Sequence, residues 1–321
     1  MNMVSMVLLF LAGLALVVLG ADWLVDGSSG VARRAGLSEF VIGLTIVGMG
    51  TSAPEMVVSF IGALEGKGDI AVGNVVGSNI FNTLLILGIT AVILPMSITR
   101  SNRRRDIPVN IAVTLLLILL GLKHSLFGVG TDGLTRMDGI ILLALFAVYM
   151  WFSFKSGKAD ASQTGPQEKE KSLWLCLLLI AAGIAGLVVG GNLFVNNAIS
   201  IAKELGVSDK FIAITVLAGG TSLPELATCV AAAAKKKGQL ALGNIIGSNL
   251  FNILLILGGS AVIAPLSFQG INLVDMTALM VSALALATCL IIGKRNVLDR
   301  LDGSIFLLIW LAYMTYLTIN L

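Results

Sequence analysis

Charge, imidazole and thiol are all scarce in this chain, and each shortage closes off a class of function. Only 12% of the 321 residues are Asp, Glu, Lys or Arg, against ~25% in a soluble domain, so a water-soluble globular protein is excluded. The single histidine, His124, stands in an "LKHSLFG" stretch where a solvated surface residue is expected. The three cysteines, Cys176, Cys229 and Cys289, lie in apolar segments without ligand-like spacing, and are expected as small buried hydrophobes. A metal centre built on His and Cys is thereby excluded. Hydrolytic chemistry lacks its parts as well. No helix carries Ser with His, and the mid-span acids are glutamates rather than paired aspartates, so no enzyme activity is expected. No resident cofactor is expected either. The net charge of +3 does not argue for nucleic acid, because the placement of the basic residues follows from topology.

What is abundant is apolar surface. Hydrophobic residues make up 57% of the chain, the mean hydropathy is +0.97, and many runs exceed the ~20 residues that cross a bilayer as helix. The first run, Met3 to Leu19, has no basic residue before it and no small-residue cleavage signal after it. It reads as a retained transmembrane helix rather than a signal peptide.

The chain also repeats itself. Residues 43–98 align without a gap to residues 213–268 at an offset of 170, with 27 of 56 pairs identical. The first copy reads "GTSAPE" followed by "GNVVGSNIFN", the second "GTSLPE" followed by "GNIIGSNLFN". The similarity reappears as "RMDG" at 136–139 and "RLDG" at 300–303, with the offset now 164. Hydropathy divides each half into five spans, at 3–25, 38–64, 69–95, 105–123 and 134–154, then 173–195, 208–234, 239–265, 272–292 and 302–320. Three segments are expected: a first five-helix unit over 1–154, a polar linker over 155–172, and a second unit over 173–321. Because five is odd, the two halves enter the membrane from opposite sides. Sixteen of the 21 basic residues fall in the loops after spans 1, 3, 5, 7 and 9. The positive-inside rule then puts both termini outside and the linker in the cytoplasm. The cluster "RSNRRR" at 100–105 fits this topology, with anionic lipid binding as the alternative.

The centre of each repeat carries the chemistry. Pro54 lacks a backbone donor and pushes against the preceding turn, and Gly48 and Gly50 loosen the same stretch. Irregular backbone at membrane depth is tolerated only where it lines a cavity or is buried in protein. Thr51, Ser52 and Glu55 share one face if the helix persists, and Thr221, Ser222 and Glu225 are their twins. Asn74, Ser78 and Asn82 recur every four residues as a polar stripe, with Asn244, Ser248 and Asn252 as twins, while Asn79 points elsewhere. Gly73, Gly77, Gly243 and Gly247 allow another helix to approach. Glu55 and Glu225 have no basic residue spaced to pair with them, and an unpaired intramembrane carboxylate marks a functional site. Ser78, Ser248, Asn82 and Asn252 read as ligands before packing groups. For Asn74, Asn79, Asn244 and Asn249 helix packing is favoured over ligation. Asp138 and Asp302 read as helix-end caps, and Asp22 and Asp26 as interfacial. The set holds no His, Cys or Lys, and an all-oxygen inventory suits a hard cation, Ca2+ or Na+.

Over the whole chain these motifs resemble the cation/calcium exchanger superfamily, specifically its prokaryotic sodium/calcium antiporter branch. The resemblance implies an all-α integral membrane fold of ten transmembrane helices in two inverted five-helix repeats. It implies metal ligands at Thr51, Ser52, Glu55, Ser78 and Asn82, and at Thr221, Ser222, Glu225, Ser248 and Asn252, joined by backbone carbonyls near Gly48 and Ala218. Several relatives carry Asp where this chain has Asn82 or Asn252, which leaves only two central carboxylates here. The "GNxxEL" pattern of proton/calcium exchangers is absent, which favours Na+ over H+. The expected function is exchange of Ca2+ for Na+ by alternating access, spans 1 and 6 moving against the ion-binding core, with Ca2+/H+ or K+-dependent exchange as alternatives. Expected partners are Ca2+ and Na+, with K+ or H+ as alternatives, and the lipid bilayer. No nucleic acid and no obligate protein partner are implied. The expected location is the plasma (inner) membrane.

Overall fold

The computed structural model describes residues 2–128, 130–157, 171–205, 218–268, 271, 273–292 and 296–320. Most of the expected linker, at 158–170, and the first part of the expected span 208–234 lie outside them. The described chain is almost entirely helical. In the first half, α1 is Met3–Ala35, α2 Glu39–Thr51, α3 Ala53–Leu64 and α4 Gly68–Ile93. They are followed by α5 Ile107–Gly121, α6 Lys123–Phe127 and α7 Arg136–Gly157. In the second half, α8 is Leu173–Glu204, α9 Ala218–Gly220, α10 Leu223–Ala234, α11 Gly238–Ile263, α12 Leu273–Ile292 and α13 Arg300–Asn320.

Among the described residues six helices are long and apolar enough to cross a membrane, or seven if α2 and α3 count as one bent span. The expected spans at 105–123 and 272–292 appear as α5 and α12. The first of these begins earlier than expected, because a π turn over Asn102–Asp106 runs into α5 without a break.

α1 and α8 differ more from expectation. They run 33 and 32 residues, about 50 Å at 1.5 Å per residue, where spans 3–25 and 173–195 were expected. The polar end "DGSSGVARRA" does not leave the helix as a loop. It continues along α8, so Ser28 and Ser29 are fully buried. The two helices pack antiparallel through glycines seven apart. A Cβ added at Gly20 would lie 2.8 Å from the Gly183 carbonyl, and one at Gly27 would lie 2.6 Å from the Cys176 carbonyl. Only the missing side chains let the backbones meet this closely. The opposite faces present Leu8, Leu11, Val18, Leu178 and Val189 outward, as lipid-facing surfaces do.

α4 and α11 form the interior. The apolar window of α11 is 94% buried, against 22% for α1. Leu84, Ile86 and Leu87 of α4 and Ile42 and Leu44 of α2 are among the most deeply buried large side chains. Gly43, Gly243 and Gly247 let α2 cross α11, with any Cβ at Gly243 driven into the Phe40 carbonyl.

Four two-residue strands report the symmetry. β1 (Met96–Ser97) pairs antiparallel with β4 (Val297–Leu298), and β2 (Gly133–Leu134) with β3 (Leu266–Ser267). β1 and β3 are twins at offset 170, and β2 and β4 at offset 164. Each ladder therefore joins one strand from each half. Since the single span α5 separates β1 from β2, the ladders lie at opposite ends of the bundle.

Asp138 accepts the Thr135 N–H at 2.8 Å and Asp302 the Asp299 N–H at 2.9 Å, the capping role expected of them. Asp26 meets Lys171 at 2.8 Å and Lys235 at 2.5 Å, both partly exposed, as an interfacial position requires. The three cysteines are free and buried, and His124 is exposed. In the loop before β2, the Ser125 hydroxyl and the Ser125 and His124 N–H groups donate to Asp132, which holds its carboxyl below the ordinary value.

Candidate ion site

The break in the α2–α3 span sits at Ser52, where the axis bends by 50°. Ser52 leaves helical geometry (φ −81°, ψ 9°), and its twin Ser222 does the same (φ −87°, ψ 8°). Pro54 and Pro224 follow in the first turns of α3 and α10, where a missing N–H costs nothing. Glu55 and Glu225 sit in those same first turns. Both carboxylates thus stand at the positive end of a half-helix, which offsets part of the cost of burying them. They are 1% and 0% exposed, and neither has a salt bridge among the described residues.

The two motifs are crossed. The Ser52 hydroxyl donates to Glu225 Oε1 at 2.9 Å, and the Ser222 hydroxyl donates to Glu55 Oε1 at 3.1 Å. Ser248 also donates to Glu225 Oε1, at 3.5 Å. Thr51 donates to Asn244 Oδ1 at 3.2 Å and approaches the Gly48 carbonyl at 3.4 Å. Thr221 is set against Glu55 as Thr51 is against Glu225. Ser78 and Ser248 are buried on the facing helices. The Gly48 carbonyl already accepts the Ser52 N–H at 3.1 Å, and Ala218 lies in the one-turn α9 before the second break.

Asn82 and Asn252 stand at the second residue of π turns, Phe81–Ile86 in α4 and Phe251–Leu257 in α11. Such turns recur at functional sites because the wider ring re-aims side chains. Their amide nitrogens are engaged, Asn82 with Asn249 Oδ1 at 3.3 Å and Asn252 with Asn79 Oδ1 at 2.9 Å. Four oxygens are left over. Glu55 Oε2, Glu225 Oε2, Asn82 Oδ1 and Asn252 Oδ1 are buried and accept no hydrogen bond among the described residues. They form two pairs related by the internal symmetry. Buried acceptors are rarely left unpaired, and two buried carboxylates without a basic partner demand positive charge from elsewhere.

The other asparagines hold the frame. Asn74 Nδ2 donates to the Glu55 carbonyl at 3.1 Å and to Ser59 Oγ at 3.0 Å, and Asn244 Nδ2 donates to Cys229 Sγ at 3.3 Å. Cys229 is the twin of Ser59. The expectation of a purely apolar cysteine missed this contact, although the alignment of Cys229 with a serine was its visible signal.

The sequence profile described as sodium/calcium exchanger protein matches residues 5–155 and 175–319. The chain belongs to the sodium/calcium exchanger family. It is 32% identical over 343 residues to "Sodium/calcium exchanger MaX1" of Methanosarcina acetivorans, covering 97% of both chains. It is 38% identical over 272 residues to "Inner membrane protein YrbG" of Escherichia coli, covering 80% of this chain and 79% of that one. A solved structure of the sodium-calcium exchanger NCX_Mj, soaked with Na+ and Sr2+, superposes with a TM-score of 0.84 at 33% identity, covering 98% of this chain and 99% of that chain. This member of the family therefore has the ten-helix, inverted-repeat exchanger fold, and its family is one of transporters rather than enzymes.

Proposed function

We propose that this exchanger is a secondary active antiporter that trades Ca2+ for Na+ by alternating access at one central all-oxygen site. The observation that carries the reading is the symmetric quartet of buried, unpartnered oxygens on Glu55, Glu225, Asn82 and Asn252. Two carboxylates bring two negative charges, enough to balance one Ca2+ or two Na+. The hydroxyls of Thr51, Ser52, Ser78, Thr221, Ser222 and Ser248 supply neutral oxygens toward the 6–8 that Ca2+ takes. The names of the relatives favour sodium and calcium as the exchanged pair. Exchange of one Ca2+ for two Na+ is electroneutral, and any higher sodium count moves charge with the membrane potential.

Access alternates, in this reading, when the glycine-stitched pair α1 and α8 moves against the core formed by α3, α4, α10 and α11. The two repeats are the units 1–154 and 173–321, joined by 155–172. The distribution of basic residues supports termini outside and a cytoplasmic linker, and the name of the Escherichia coli relative supports the inner membrane.

Calcium flux into proteoliposomes under defined Na+, K+ and pH gradients tests the reading. An outward-directed sodium gradient is expected to drive calcium uptake, and Glu55→Gln and Glu225→Gln are each expected to abolish it. Uptake driven by a pH gradient in sodium-free medium would replace Na+ by H+ as the counter-ion. A strict potassium requirement would add K+ to the cycle. Sustained gradient-driven flux in either glutamine variant would overturn the site.

A further inference from the structure

Asn79 and Asn249 lie outside the polar stripe, yet they are 2% and 4% exposed and reach across the interface between the halves. Each makes two side-chain bonds, one that fixes its own amide and one that passes the orientation on. Asn79 Nδ2 donates to the Asn249 carbonyl at 3.1 Å, which commits its Oδ1 to accept from Asn252 Nδ2 at 2.9 Å. Asn249 Nδ2 donates to Thr83 Oγ1 at 2.8 Å and its Oδ1 accepts from Asn82 Nδ2 at 3.3 Å, an anchor on a hydroxyl that can also donate and so holds the amide less firmly than a carbonyl does. With their nitrogens held, Asn82 and Asn252 keep Oδ1 as the free end, and both of these oxygens are buried and unpartnered.

We propose that Asn79 and Asn249 are positioning residues that decide which end of the Asn252 and Asn82 amides faces the cation. An amide presents oxygen or NH2 with nearly the same shape but opposite polarity. One turned over by half a rotation would aim donors at a positive ion. A fixed acceptor behind the NH2 prevents this. The two arms are anchored differently, because the twin of Thr83 is Ile253. The Asn82 arm rests on a hydroxyl and the Asn252 arm on a backbone carbonyl. The inference rests on the reading of Asn82 and Asn252 as cation ligands.

The test measures KM for Ca2+ and maximal rate in proteoliposomes of the full chain, with thermal unfolding as a check on folding. Asn79→Leu keeps the shape and removes the acceptor, and is expected to raise KM about tenfold. Asn79→Asp keeps an acceptor there and is expected to raise it less. The deciding variant is Asn79→Leu in an Asn252→Asp background. A carboxylate has oxygen at both ends, so nothing remains to be oriented, and the rise is expected to vanish. An equal rise in both backgrounds, or none in a folded Asn79→Leu protein when Asn252→Ala raises KM, would overturn the positioning role and leave the site intact. An unchanged KM in Asn252→Ala would instead remove the ligand reading itself, and the inference with it.

Discussion

The carboxylate of each repeat is held by a hydroxyl from the other, and that crossing sets what single substitutions report. Removing the Ser52 hydroxyl strips a donor from Glu225, not from the Glu55 three residues away. A hydrogen bond to a charged group contributes ~1.5–3 kcal/mol. Ser52→Ala is therefore expected to raise the KM for Ca2+ by about tenfold or more. In a background already carrying Glu225→Gln, whatever residual calcium binding isothermal calorimetry detects should respond far less. The equivalent pair is Ser222 with Glu55. Sequence periodicity found the participants but not these bonds. The spacing of Thr51, Ser52 and Glu55 shows that they share a side of a helix, and cannot show that a second copy faces them. Asn79 was legible as a residue pointing off the stripe and as a helix-packing group rather than a ligand. What it points at, Asn252 and the Asn249 carbonyl, exists only once α4 and α11 are packed.

At the level of whole helices, the α1–α8 contact depends on which glycines face the seam. Gly190 and Gly191 are neighbours in α8 with opposite surroundings. A Cβ at Gly190 would lie 2.8 Å from Val17 N, and one at Gly191 meets nothing within 4 Å among the described residues. Gly190→Ala is expected to destabilise by ~1–3 kcal/mol through overpacking. Gly191→Ala is expected to be neutral or to stabilise by up to ~1 kcal/mol through helix propensity. Thermal midpoints of the purified protein in detergent give the comparison, and equal shifts would count against the packing described. The breaks at Pro54 and Pro224 were readable because proline is a local signal. The π turns were not, since Asn82 and Asn252 interrupt otherwise apolar runs with nothing to mark the extra residue. A paired clamp was missed too. Tyr149 donates to Asp106 at 3.1 Å and Tyr313 to Asp275 at 2.9 Å, joining the π turn at the head of α5 to α7 and α12 to α13. The offset for the aspartates is 169 and for the tyrosines 164. The drift between them hides the repeat from a gapless alignment.

The molecule as a whole is two copies of one design set in opposite senses across a membrane. Its orientation has a direct check. A single cysteine placed in the linker of a protein whose native cysteines are replaced is expected to react with a membrane-impermeant maleimide only after the cells are permeabilised. One placed beside Asn2 is expected to react in intact cells. The reverse pattern would invert the topology that the 16 basic residues suggest. Ten spans and their pairing into halves were legible because hydropathy and repetition act over long stretches and survive local irregularity. The overlong α1 and α8 were not, because "DGSSGVARRA" reads as polar loop until Cys176 and Ile180 are seen against it.

The two short ladders also set a timetable for synthesis. Met96 has its strand partner at Leu298, about 200 residues further on, which at 5–20 residues per second is roughly 10–40 s of translation. Early in that interval Glu55 lacks Ser222 and Asn82 lacks Asn249, β2 then waits for β3, and β1 stays unpaired to its end. The nascent protein therefore waits, half built, with its most polar residues at the centre of the bilayer. Slowing the ribosome anywhere between Met96 and Leu298 would lengthen this vulnerable stage, whereas slowing it before Met96 would not.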